Sequence, residues 1–225
     1  MVLNGKIVLA HCGFYDAECK NQYRENSAEV CKVSASRKEI DIIELDLRKS
    51  KDGVLYCYHG TLPQYHFSLR FPMRFSTLQR KYQVGRFIDI LDVITRDKTV
   101  FLDIKDKNVT REDLENAFKG RHFKEVILGN KSPSFLRQYD PLPKNFVKIL
   151  NGNIFCNFYN SEKLRKEGFK YFEVVFPFQL NDRLVKRLQE SGLELRCAGL
   201  FFRSKKSYFD TIEKYKIKHI SSDFI

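Results

Sequence analysis

The chain has 225 residues, of which 43% are hydrophobic, and 20 residues are Phe. Such a composition can fill a sizeable core, so we expect a globular protein of one large domain or two small ones. The formal net charge of +12 attracts anions such as phosphates, nucleic acid and acidic membrane surfaces, whereas no apolar run approaches the roughly 20 residues of a membrane span.

The first predicted strands end in residues that can carry chemistry. Ile7 to Ala10 forms a short apolar run that leads into His11. In the second run, Ile42 to Leu47, side chains alternate between the two faces of the strand, so Glu44 and Asp46 share one face. Burying two carboxylates side by side costs several kcal/mol unless a cation compensates. This strand therefore predicts a site for a hard divalent metal.

A hairpin follows the second strand. Asp52-Gly53 is a tight-turn signal, and Val54 to His59 is the expected hairpin arm, which places His59 at a strand end. The segment 60–85 is the longest stretch without an obvious strand. It reads either as a basic, aromatic flap over the site or as a plain surface loop, and its basic and aromatic residues are Arg70, Phe71, Arg74, Phe75, Arg80 and Lys81.

The two-faced pattern recurs at Val100 to Ile104, where Asp103 and Lys105 share the polar face. This adds a third carboxylate with a cation beside it. The later strands are expected at Glu125 to Leu128, Phe146 to Leu150, Tyr171 to Phe176, Leu193 to Cys197 and Ile217 to Ser221. The helices are expected at Ser27 to Ser36, Arg86 to Thr95, Arg111 to Phe118 with Thr110 as its cap, Ser134 to Tyr139, Ser161 to Glu167, Asn181 to Ser191 and Ser207 to Tyr215.

Without the hairpin arm the strands number eight, and this alternation predicts an α/β fold of the (β/α)8 TIM-barrel type with a small hairpin and loop insertion after strand 2. No linker or change of composition divides the chain, so residues 1–225 are expected to form a single domain. Such barrels place their chemistry at the carboxyl ends of the strands, and His11, Glu44, Asp46, Asp103 and Lys105 lie at or just past such ends.

The six cysteines have no CxxC spacing, so they predict neither a zinc site nor a disulfide framework. Free thiols in a reducing compartment are expected instead. The run from Ile7 to Ala10 is too brief for a signal-peptide core. We therefore expect a cytoplasmic protein.

Several short motifs occur in a fixed order: His11-Cys12-Gly13, Glu25-Asn26-Ser27, Ile43-Glu44-Leu45-Asp46-Leu47, Lys51-Asp52-Gly53-Val54, His59-Gly60 and Leu102-Asp103-Ile104-Lys105. Together they resemble the glycerophosphodiester phosphodiesterase family, which has a phospholipase C-like TIM barrel. The segment Ile220-Ser221-Ser222-Asp223 looks like the last strand of that family.

The resemblance implies a metal-dependent hydrolase. Glu44, Asp46 and Asp103 would hold Mg2+ or Ca2+, Lys105 would contact the phosphate, and His11 and His59 would act as the acid/base pair. The implied substrate is a small-molecule glycerophosphodiester or a lysophospholipid, with peripheral contact to an anionic membrane in the second case. Which histidine is the acid stays open at this point, as does the choice between attack by water and attack by a substrate hydroxyl.

Three residues depart from the family pattern. Cys12 stands where the family usually has an arginine, so Arg48 or a flap arginine is expected to bind the phosphate instead. Gly60 replaces an aspartate after the second histidine, and Asp103 stands where glutamate is commoner. The short interval between His59 and Asp103 also implies a narrower or differently built lid.

Two other functions compete with the hydrolase. Cys12 and Gly60 motivate a catalytically weak barrel that binds a phosphorylated ligand, but the presence of both histidines and all three acidic residues favours the enzyme. The positive charge motivates a nucleic-acid-binding protein. Lys and Arg are spread along the whole chain rather than concentrated in a stripe, so nucleic acid is disfavoured as a partner.

Overall fold

The computed structural model describes residues 5–60, 73–152, 159–198 and 202–224. Strands β1 to β10 are Ile7–Ala10, Ile42–Lys49, Leu55–Cys57, Gly85–Arg86, Thr99–Ile104, Glu125–Asn130, Phe146–Leu150, Phe169–Val174, Glu194–Cys197 and His219–Ser221. Helices α1 to α8 are Ala28–Ser36, Phe75–Tyr82, Phe87–Leu91, Arg111–Phe118, Pro133–Leu136, Ser161–Lys166, Asp182–Ser191 and Lys205–Lys214. Among the described residues, no helix has both the length and the apolar character needed to cross a bilayer.

Eight parallel strands of the described chain close into a barrel. The hydrogen-bonded order is β1, β10, β9, β8, β7, β6, β5 and β2, and β1 pairs again with β2 to complete the ring. Helices lie between successive strands along the chain. The predicted (β/α)8 TIM barrel is therefore confirmed.

The alternation of side chains along each strand separates two cores. On β2, the outward-facing Ile43, Leu45 and Leu47 belong to the large core that also contains helix residues. The inward-facing Ile42 belongs to a smaller cluster in the barrel interior, together with Leu9, Phe101, Ile127, Ile149 and Tyr171. Glu44 and Asp46 follow Ile42 on the same face, so the polar residues begin where this apolar plug ends.

The helices begin at the caps that the sequence indicates. The Ser27 side chain accepts a hydrogen bond from the Val30 amide at the start of α1, and Thr110 and Asp113 form a reciprocal capping box at the start of α4. Helix α7 ends at Gly192, whose φ of 75° lies in the left-handed region that favours glycine. The first two caps fix where α1 and α4 begin, and Gly192 fixes where α7 ends.

The insertion after strand 2 contains more structure than expected. Strand β3 pairs antiparallel with β2, and the short β4 pairs antiparallel with β3. The expected loop over residues 60–85 contains helix α2, and its last residue, Gly85, begins β4. Helix α2 is stabilised because Leu78 is buried against Tyr56 and Val84, a contact that only the folded hairpin provides. The predicted flap residues Arg70 and Phe71 lie outside the described residues.

The five cysteines in the described part of the chain, Cys12, Cys19, Cys31, Cys57 and Cys197, are buried free thiols. The expected absence of disulfides holds for these five. Cys156 lies outside the described residues.

Candidate active site

Three carboxylates meet at the carboxyl end of the barrel. Strands β2 and β5 pair in register, with Glu44 beside Phe101 and Asp46 beside Asp103. One carboxylate oxygen from each of Glu44, Asp46 and Asp103 lies within 4.8 Å of the others. Glu44 is 4% exposed and Asp46 is 2% exposed. The structure therefore brings the three predicted metal ligands together.

The electrostatics of this cluster are strongly unbalanced. Burial raises the pKa of Glu44 to about 8, and the neighbouring Asp46 carboxylate adds to the effect. Burial also acts to raise the pKa of Asp46, but Lys105 and His59 outweigh it and hold that pKa below its usual range. The Lys105 ammonium lies 2.9 Å from Asp46 Oδ1 and also contacts Asp103. One ammonium thus faces three carboxylates.

The donor set fits a hard divalent cation. It consists of carboxylate oxygens, which are the ligands that Mg2+ and Ca2+ prefer. Lys105 does not suffice to keep Glu44 ionised, since the pKa of Glu44 stays raised, and a divalent ion would supply the missing positive charge.

His11 leaves β1 at the rim of the same cavity. Its Nδ1 lies 2.9 Å from Asp223 Oδ2, and Asp223 also pairs with Lys20 at 2.7 Å. Burial acts to lower the pKa of His11, but the hydrogen bond to Asp223 and the negative charge of Glu44 outweigh it and raise the pKa to about 9. Burial acts to raise the pKa of Asp223, but the contacts with His11 and Lys20 outweigh it and hold that pKa below its usual range. Asp223 was seen in a motif but given no role by sequence reasoning.

His59 follows β3 and lines the cavity opposite His11, with 6.3 Å between the two ring centroids. Its backbone is held by Arg48, whose guanidinium donates to the carbonyl oxygens of Tyr58 at 2.8 Å and His59 at 3.0 Å. Arg48 does not line the cavity. The predicted role of Arg48 as a phosphate contact therefore gains no support from its position, because its guanidinium is occupied by the hairpin. Arg74, a second expected substitute, is exposed and also lies outside the lining.

Cys12 and Asn26 form hydrogen bonds with the buried carboxylates Glu44 and Asp46. The Cys12 amide donates to Glu44 Oε2 at 2.7 Å, and its thiol contacts Asp46 Oδ2 at 3.3 Å. The Asn26 side chain donates to Asp46 Oδ2 and accepts from the Asp46 amide, both at 2.9 Å. Cys12 and Asn26 have φ values of 51° and 55°, which Asn tolerates better than most residues. Sequence reasoning gave Asn26 no role.

The far wall of the cavity was not foreseen. The cavity has a volume of about 640 Å³, and the polar residues on its far side are Asn151, Glu173, Arg196 and His219. They lie on or directly after β7, β8, β9 and β10. Glu173 and Arg196 each stand between two apolar neighbours, so the alternation that exposed Glu44 could have exposed them as well.

Burial governs the charge states on this wall. It raises the pKa of Glu173, with Arg196 opposing the shift. It lowers the pKa of Arg196, with Glu173 opposing. Burial and the positive charges of Arg196 and Lys170 lower the pKa of His219 to about 3.

Neither a protein-family model nor a curated protein matches this sequence. Solved structures do match its fold. The glycerophosphodiester phosphodiesterase of Thermotoga maritima is 20% identical with a TM-score of 0.66, and the match covers 97% of this chain and 95% of that one. A phosphodiesterase of Oleispira antarctica, solved in complex with the product sn-glycerol-3-phosphate, is 13% identical with a TM-score of 0.72 over 96% of this chain and 92% of that one.

The glycerophosphodiester phosphodiesterase of Agrobacterium tumefaciens is 17% identical with a TM-score of 0.69, and the match covers 97% of each chain. At these identities the likeness establishes the architecture. The chain has the TIM-barrel fold of the glycerophosphodiester phosphodiesterases.

Proposed function

We propose that this protein is a metal-dependent phosphodiesterase that hydrolyses glycerophosphodiesters. The observation that carries the proposal is one cavity, at the carboxyl end of the barrel, where three clustered carboxylates lie beside His11 and His59. The fold supports it, because solved structures with the same fold are named as phosphodiesterases.

Glu44, Asp46 and Asp103 would hold Mg2+ or Ca2+. When bound, the ion would supply positive charge that neutralises the phosphodiester and makes the phosphorus a better electrophile. Lys105 contacts two of the three carboxylates, so its ammonium is placed to add a second positive charge beside the phosphate.

We assign the two proton transfers from the contacts of the histidines. Asp223 stabilises the imidazolium form of His11 and orients its ring, so His11 would protonate the departing alkoxide. His59 would accept the proton of the attacking oxygen. The diester then yields a phosphomonoester and a free alcohol, and the two histidines exchange protons with solvent before the next turnover.

A lysophospholipid is the second candidate substrate, and one observation favours it. Phe178 is 74% exposed, and in the described part of the chain it is the one large hydrophobic residue with an exposed side chain. Its ring stacks on Phe176, which lines the cavity, at a centroid distance of 5.4 Å. This pair could contact an acyl chain or an anionic membrane surface. We place the activity in the cytoplasm, in keeping with the five buried free thiols.

A substrate panel tests this function. Glycerophosphodiesters and lysophospholipids would be incubated with the protein in Mg2+, in Ca2+ and in excess chelator. We expect release of a phosphomonoester in at least one metal, loss of that release in chelator, and loss in Glu44→Gln. Glu115→Gln, on an exposed position of α4, is the matched control. Absence of turnover on the whole panel, with phosphorylated ligands still bound, would replace the enzyme by a binding barrel.

A further inference from the structure

Arg196 is a buried cation, and one of its nitrogens has no hydrogen-bond partner among the described residues. It lies on β9, is 3% exposed and lines the cavity. Its Nη1 is buried without a hydrogen-bond partner in the described part of the structure. A buried guanidinium nitrogen without a partner is costly, because it has lost its hydration and has gained no hydrogen bond.

The surroundings of Arg196 orient it without neutralising it. The guanidinium packs over the ring of Phe101, with 4.7 Å from Cζ to the ring centroid. Glu173, its neighbour across the β8–β9 pairing, faces the same cavity. Among the described residues, no carboxylate oxygen lies within the 4.0 Å of an Arg196 nitrogen that an ion pair requires. Arg196 is thus held in place by an aromatic face while its donors stay available.

Lys105 provides the contrast within the same cavity. Its ammonium is already engaged by Asp46 and Asp103. An anion that enters the cavity must compete with two carboxylates for Lys105, whereas no hydrogen bond from a described residue occupies Arg196 Nη1. The fork of a guanidinium also matches two oxygens of a phosphate, which a single ammonium does not.

We infer that Arg196 is a phosphate-binding residue of this site and reaches the substrate from the wall opposite the clustered carboxylates. This inference rests on the proposed function, because it takes the phosphate of the phosphodiester as the anion. It names a binding contact that the motifs in the first half of the chain do not include. It also supplies the cation that was expected from Arg48, whose donors are taken by the hairpin.

Titration calorimetry with inorganic phosphate, in excess Mg2+, tests the inference. We expect Arg196→Met to weaken phosphate binding at least tenfold and Arg196→Lys to weaken it at least threefold. Arg183→Met is the matched control, since Arg183 is exposed on α7 and removes the same charge far from the cavity. It should leave phosphate binding unchanged, which separates a direct contact from a long-range effect of net charge.

Wild-type affinity for phosphate in a folded Arg196→Met protein overturns the inference, as does failure of the wild-type protein to bind phosphate. If Arg196→Met does not fold, Arg196→Lys decides, and unchanged affinity there overturns the inference. The two proposals fail separately. Turnover on the substrate panel with no effect of Arg196 on phosphate removes only the role of Arg196. Phosphate binding that depends on Arg196, without turnover, removes only the hydrolase.

Discussion

At the scale of single residues, three carboxylates of the site are each held by a donor from the segment between β1 and α1. Glu44 accepts a hydrogen bond from the Cys12 amide, and Asp46 accepts one from the Asn26 side chain. Asp223 pairs with His11. Charge-assisted hydrogen bonds of this kind are about twice as strong as neutral ones. The site is therefore organised in advance.

The histidines give the first prediction. His11→Ala and His59→Ala should each lower kcat by roughly 100-fold or more, because each removes one proton transfer. Circular dichroism should show a folded barrel in both variants. His122→Ala, at an exposed position, is the control and should keep full turnover. Near-normal kcat in both site variants would remove the acid/base assignment.

His219 predicts acid sensitivity. Its folded pKa is about 3, below the unfolded value of about 6.5, so the unfolded chain binds more protons between these values. The stability that the neutral His219 contributes to the folded state is fully present above pH 6.5 and is lost as the pH falls towards 3. Glu194 lies 3.4 Å away but is 47% exposed, so solvent screens its opposing attraction.

We expect His219 alone to lower the free energy of unfolding by about 2 kcal/mol between pH 7 and pH 5. Urea titrations at the two pH values, compared with His219→Phe, measure this term. In the variant the loss over this interval should be smaller by that amount. An identical loss in both proteins would show that His219 titrates normally.

At the scale of elements, the catalytic candidate His59 lies just after β3, the arm of the hairpin that is not part of the barrel. β3 has only three residues, Leu55–Cys57, and a strand this short adds little pairing energy of its own. Arg48, 3% exposed, ties the end of this arm back to β2 through the carbonyls of Tyr58 and His59. The arm and Arg48 together set the position of the His59 ring.

The arm gives a third prediction. Arg48→Met should lower kcat by about tenfold, since even a small displacement moves the His59 ring away from the attacking oxygen whose proton it accepts. It should also lower the free energy of unfolding by about 1 to 3 kcal/mol, because two carbonyls lose charged donors. Phosphate affinity should not change. A large loss of phosphate affinity with unchanged kcat would return Arg48 to its expected role as a phosphate contact.

The sequence predicted the barrel strands better than the insertion, and the reason is physical. Alternation on β2 and β5 is imposed locally by the two faces of a strand, so Glu44, Asp46 and Asp103 could be placed from sequence. Helix α2 depends instead on the burial of Leu78 against the folded hairpin. The occupation of Arg48 likewise depends on carbonyls ten and eleven residues away, and no local pattern reports such a contact.

At the scale of the whole molecule, the barrel concentrates opposite charges inside a protein whose net charge is +12. Five acidic residues line the cavity, namely Glu44, Asp46, Asp103, Glu173 and Asp223. The positive surface draws anionic substrates towards the protein, while the acidic interior demands compensation once they arrive. The proposed divalent metal would supply that compensation.

Metal removal gives the fourth prediction. Chelation should lower the melting temperature, because it leaves Glu44, Asp46 and Asp103 to repel one another. A metal present at about one hundred times its Kd contributes about 2.7 kcal/mol to stability. Thermal melts with Mg2+, with Ca2+ and with chelator measure this effect, and Asp103→Asn should reduce the difference. Identical melting temperatures in all three conditions would remove the metal from the proposal.

The contact between His11 and Asp223 joins the first strand of the barrel to the turn after the last one. Ser222 reinforces this junction, because its hydroxyl accepts from the His11 amide at 3.1 Å and donates to the Phe14 carbonyl. A growing chain that has passed residue 105 already holds the carboxylates, Lys105 and both histidines. It still lacks the partner of His11 until β10 and the turn after it have been made. Activity would therefore require β10 and the turn after it, because they supply the partner that orients the His11 ring.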